Sequence, residues 1–147
     1  MAQPARSGEV TAWPLPMANA PRRAVRFVRS QIEPLPDDRC QALVQVERDG
    51  VGLTTATALG GTTQADTLRA VARATADALS EALGAEVRVR GVQLLQAFAQ
   101  TVVVVSMVAT QGERSQALLG ICDGTDDLAR AAALAVLNAT NRFLGLE

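Results

Sequence analysis

The closing stretch, DLARAAALAVLNATNRFLG (residues 127–145), has helical spacing and almost no side chain that favours water. In an amphipathic helix, polar residues recur at steps of three and four. Here that stripe holds Asp127, Arg130, Leu134, Asn138 and Asn141, so its middle carries no charge. A helix apolar over so wide an arc must be covered on more than one side. What covers it decides the architecture.

Working backward, the polar loop DGTDD (123–127) precedes that helix, and RSQALLGIC (114–122) and QTVVVVSMVAT (100–110) read as strands joined by a turn at Gln111-Gly112. EVRVRGVQLL (86–95) is another strand. Before it, TTQADTLRAVARATADALSEALG (62–84) reads as a helix with Gly84 as its stop. Its stripe keeps its charges, as Asp66, Arg69, Arg73, Asp77 and Ser80, while Leu68, Val71, Thr75, Ala78 and Ala82 line the other side. Gly60-Gly61 breaks the strand VGLTTATAL (51–59), which follows an Asp49-Gly50 turn. CQALVQVERDG (40–50) alternates, with Cys40, Ala42, Val44 and Val46 on one face. RRAVRFVRSQIEPL (22–35) is a strand ended by Pro34 and Pro36.

The order is strand-strand-strand-helix, twice, which predicts an α+β domain with helices packed on antiparallel sheets. The residues support a duplication. A shift of 61 positions carries Asp66 onto Asp127, Arg69 onto Arg130 and Leu83-Gly84 onto Leu144-Gly145. Val28-Arg29 falls on Val89-Arg90 under the same shift. The domain spans 22–147, as repeats of about 22–84 and 85–147. Residues 1–21, MAQPARSGEVTAWPLPMANAP, form a flexible tail whose Trp13 offers a docking peptide for a protein partner.

TVVVVSMV makes both faces of its strand dry, with Val102 and Val104 on one and Val103 and Val105 on the other. One helix layer covers one face only. The other face needs the first repeat, a second subunit, or both. The expected homodimer interface therefore takes Leu134, Asn138 and Asn141 from the last helix and Val103 and Val105 from the strand.

Composition excludes several classes. The 147 residues carry a formal net charge of −1, with 3% aromatics and neither His, Tyr nor Lys. A nucleic-acid binder shows a basic excess and stacking aromatics. Without His or Lys, the commonest general base and the Schiff-base nucleophile are missing. Glu33, Glu47, Asp49, Glu81 and Glu86 sit at turns or element ends, where solvated charge is ordinary. No enzyme activity is expected. DGTDD lacks the twelve-residue loop and final Glu of an EF-hand, so no metal and no cofactor are expected. Cys40 and Cys122 read as buried free thiols, with a disulfide or redox role as the alternative. No apolar run approaches the ~20 residues of a membrane span, and no signal peptide is evident; a cytoplasmic protein is expected.

In its second repeat, LLGICDGTDDLARAAALAVLNATNRFLG (118–145), the chain resembles the C-terminal regulatory or dimerisation domain of isopropylmalate synthase and its citramalate synthase relatives. Gly120, Asp127-Leu128, Ala131, Ala135, Ala139 and Asn141-Arg142 carry the likeness, and ALGGTTQADTL (58–68) is similar to the family's Gly-rich first loop. The likeness runs from about residue 23 to 147. It departs where the family has Gly-Pro before the first helix, and at Ala132 and Val136. It implies a regulatory module without the enzyme, one that dimerises and holds a small amino-acid-like effector between the repeat loops. Those loops place Gly60, Gly61, Thr62, Thr63 and Asp66 beside Gly120, Asp123, Thr125 and Asp126. Glycine N–H groups at a helix N-terminus suit a carboxylate, and the aspartates suit an ammonium group. The same residues are also ordinary caps and turns. A ligand-free dimerisation or scaffold protein is the alternative.

Overall fold

The computed structural model describes residues 24–48 and 50–146. The N-terminal tail with Trp13, and Asp49 of the expected turn, lie outside those residues. The described elements are β1 (Val25–Leu35), β2 (Arg39–Arg48), β3 (Gly52–Gly61), α1 (Gln64–Leu83), β4 (Glu86–Ala97), β5 (Gln100–Gln111), β6 (Arg114–Asp123) and α2 (Leu128–Leu144). The fold is α+β, a strand-strand-strand-helix unit occurring twice. Each unit folds its strands into an antiparallel sheet, β1-β2-β3 and β4-β5-β6.

The two helices pack on each other and fill the space between the sheets. α1 lies on β2 and β3 and also touches β4; α2 lies on β5 and β6 and also touches β1. The wide apolar arc of α2 is thus covered within the chain. Alternation sets the inner faces: Cys40, Ala42, Val44 and Val46 of β2 are buried, as are Val103, Val105, Met107 and Ala109 of β5. Both helices present mostly alanine to the core, which lets backbones approach closely. Thr75 and Thr140 are fully buried, and each hydroxyl donates at 2.8 Å to the carbonyl four residues earlier.

Two latches hold one repeat to the other. Ser80 and Asn141 are equivalent under the 61-residue shift. The Ser80 hydroxyl accepts from the Val87 N–H at 3.0 Å, so α1 grips the start of β4. Asn141 accepts from the Val25 N–H at 3.4 Å and donates to its carbonyl at 3.2 Å, so α2 grips the start of β1. Arg48, paired with Val25, donates to the Ala82 carbonyl at 3.4 Å. The last turns of both helices therefore lie at one end of the first sheet.

The structure refines the register of the repeat. In the helices the shift of 61 holds, since both end at left-handed glycine caps, Gly84 and Gly145. In the first strands, bulges fall between Phe27 and Arg29 and between Val89 and Gly91. Val28 therefore matches Arg90, and the Val28-Arg29/Val89-Arg90 identity is out of register by one. The β1–β2 and β4–β5 hairpins turn on equivalent pairs, Asp37-Asp38 and Phe98-Ala99, all with positive φ. Pro34 does not end β1; it pairs with Cys40 on an edge strand, where a missing N–H is tolerated. Gly60 and Gly61 do not break β3 but close it, paired with Cys40 and Arg39.

Candidate functional site

Each predicted loop is closed by its own helix. Thr63 is the N-cap of α1, its hydroxyl accepting from the Asp66 N–H at 3.1 Å. The Gly61 carbonyl accepts from the Cys40 thiol at 3.2 Å and the Thr67 hydroxyl at 3.4 Å. A Cβ on Gly60 would lie 3.0 Å from that of Ala70, and one on Gly61 only 2.6 Å from the Asp66 carboxylate. These glycines serve the close seating of α1 on β3. Thr62 is exposed at the turn between them.

The second loop is built likewise. Asp127 is the N-cap of α2 and accepts from the Arg130 N–H at 3.0 Å. Asp123 accepts from the Thr125 hydroxyl at 2.6 Å and the Thr125 N–H at 3.0 Å, and these bonds hold its carboxyl below the usual aspartate range, the hydroxyl contributing most. The loop's counterpart of Gly60 is Gly124, which sits against Ala131 as Gly60 sits against Ala70. Gly120 lies elsewhere, buried where β6 meets α2, and a Cβ there would fall 2.0 Å from the Ala135 carbonyl oxygen. It has no room to receive a ligand.

Among the described residues no hydrogen bond joins the two loops. Asp123, Asp126 and Arg130 border a cavity of about 110 Å³, with Cys122 and Leu134 on its walls. That is space for a few waters. Cys122 is half-buried and Cys40 buried, and both thiols are free. Burial pushes the Cys122 thiol up, Asp123 adds to this, and Arg130 opposes it, so the group is a weak nucleophile. No group of three metal-ligating side chains occurs among the described residues, and none of their helices is long and apolar enough to cross a membrane.

The interface residues need correction. Val103 and Val105 point inward and are fully buried under the helices, so they cannot meet a second subunit. Asn141 is committed to Val25 within the chain. Leu134 is half-buried and Asn138 exposed on the open side of α2. The bare face of β5 is the opposite one, carrying Val102 and Val104.

The sequence predicts that one face of β5 needs a second cover but names Val103 and Val105 for it, and it does not single out Leu95, Leu119 or Ile121. Pairing puts Leu95 beside Val102, Val104 beside Ile121, and Ser106 beside Leu119. Leu119 and Ile121 are each 60% exposed and Leu95 49%. At the hairpin beyond them Phe98 is 98% exposed, in a backbone region that suits Asn or Gly. The first sheet differs. Its outer face carries Gln41, Gln45, Glu47, Thr55 and Thr57 around a half-buried Leu43, with exposed Leu53 and Leu59 towards the ends of β3. The alternation of β6 carries the signal that would have found the bare face, because Leu119 and Ile121 flank Gly120 on the side away from α2.

Comparison with protein-family models and with curated proteins finds no match to this chain.

Proposed function

We propose that the chain is a non-catalytic regulatory module that pairs with a second copy of itself and responds to a small metabolite. The observation that carries this reading is the bare apolar outer face of the second sheet, set against one on the first where glutamines, threonines and Glu47 separate the leucines. Three strands spaced ~4.8 Å apart and rising ~3.3 Å per residue give the whole outer face a footprint of roughly 14 by 35 Å, its apolar residues gathered towards the Phe98 hairpin and its polar ones around them, on the scale of the ~800 Å² of accessible surface that each partner of a stable pair buries. A contiguous apolar patch of this kind marks an interaction site in soluble proteins. The resemblance to a dimerising regulatory domain supports the same reading. The absence of His and Lys, the capping of α2 by Asp127 and the commitment of Asp123 to Thr125 support a non-catalytic one.

Sedimentation equilibrium of the full chain tests it. The wild type is expected to be dimeric at micromolar concentration, and Leu119→Glu monomeric with an unchanged circular dichroism spectrum and Tm. Thr57→Glu, on the polar face of the first sheet, is expected to remain dimeric. A monomeric wild type, or a Leu119→Glu variant as dimeric as the wild type, overturns the reading.

A further inference from the structure

We infer that the outer face of the second sheet holds a binding site for an aliphatic monocarboxylate, and that this ligand competes there with the second copy. The bulge at Arg90, followed by Gly91 with no side chain, opens a depression of about 540 Å³ in the rim of β4. Val104 and Leu119 form its apolar wall, and Gln93 and Ser106 add polar groups. Arg90, and Arg69 reaching across from α1, stand beside it. Among the described residues neither guanidinium has an ion pair or a hydrogen bond.

The other cavities are less suited. In the cleft over α1, of about 350 Å³, Arg73 already donates to the Leu59 carbonyl and Asp77 offsets the remaining charge of Arg88. Beside α2, Arg114 is spent on the ring of Phe143, 4.2 Å from its centroid.

Two free guanidiniums over an apolar wall specify the ligand class. They repel a cation, and their planar donor forks match a carboxylate. A bare inorganic anion leaves the apolar wall in water. A carboxylate with an aliphatic chain meets both demands. From Gly91 the apolar strip runs past Val104 and Ile121 to Leu95, four residues on, a distance of about 13 Å. A chain of about ten carbons covers that length. Because Leu119 and Val104 lie within the proposed pairing face, the acid and the second copy exclude each other. This competition rests on the pairing reading; the binding site does not.

Decanoate, decanol and butyrate, each below aggregation, are the probes, followed by amide chemical shifts and sedimentation of the full chain. Decanoate is expected to move the Gly91, Val104 and Leu119 amides and to shift dimer toward monomer. Decanol and butyrate are each expected to bind at least tenfold more weakly. Arg69→Gln/Arg90→Gln, two exposed positions, is expected to keep the Tm and the dimer but to lose at least tenfold in decanoate affinity. Equal binding of decanoate and decanol, or an undiminished affinity in the double variant, overturns the site. Saturating decanoate that leaves the dimer intact overturns the competition. A wild type monomeric without any acid overturns pairing instead, and arginine-dependent decanoate binding would then still uphold the site.

Discussion

Gly120 stands opposite Val105 on the inner face of the second sheet, where the backbone of α2 comes closest. Its hydrogen takes the place of a methyl that would collide with the Ala135 carbonyl, and backbone cannot yield as a flexible side chain does. Gly120→Ala is therefore expected to destabilise at the upper end of the ~1–3 kcal/mol typical of overpacking. Gly91→Ala is the control, because its Cβ would meet nothing within 4 Å. It is expected to stay within about 0.5 kcal/mol of wild type. Urea unfolding of the two variants decides the matter. In the sequence both glycines look alike, each lodged in an apolar strand. Only the approach of a helix to one of them makes it indispensable.

Among the elements, the helices were the most legible, because caps and periodicity are local. Thr63 and Asp127 start them, and Gly84 and Gly145 stop them, close to where spacing places the ends. α2 is three residues shorter at its start, 17 against 20, so Asp127 caps where Asp66 lies inside the first turn. The charge lost from the middle of α2 had a different consequence from the one expected. Leu134 and Asn138 lie on the open side of α2, while its wide apolar arc is covered by the other helix and by strands of both sheets. The latch residue Asn141 is the more telling member of that stripe. Asn141→Ala removes both bonds to Val25 and is expected to cost about 1–3 kcal/mol. Native-state hydrogen exchange should locate the loss, with protection at Val25 and the start of β1 falling further than in β5. Uniform loss across both sheets would mean that the latch does not couple the repeats locally.

At the scale of the whole molecule, the two repeats share one interior and differ on their outsides. Phe98 and Ala99 bear on this difference. Non-glycine residues held at positive φ cost about 1–3 kcal/mol each, and the equivalent turn of the first repeat uses two aspartates. A fully exposed phenylalanine in such a turn is unfavourable for the isolated chain. Phe98→Asn with Ala99→Gly restores the residues this turn prefers and is expected to raise the Tm by a few degrees. The same double change is expected to weaken dimerisation in sedimentation experiments. A gain in stability with no loss of association would show that Phe98 plays no part in pairing.

By itself the sequence determined what is local: the two helices and their caps, the alternation of β2, the order of elements and the duplication. Each rests on interactions within a few residues, or on a periodicity that a single strand or helix imposes. Tertiary structure alone decided which side of β5 is inside. Val102, Val103, Val104 and Val105 are apolar on both faces, so alternation there carries no direction. The direction comes from pairing, which sets Val105 against Gly120 and lets α2 settle on that side. It leaves Val104 and Ile121 outside, and with them the surface on which the proposed function depends.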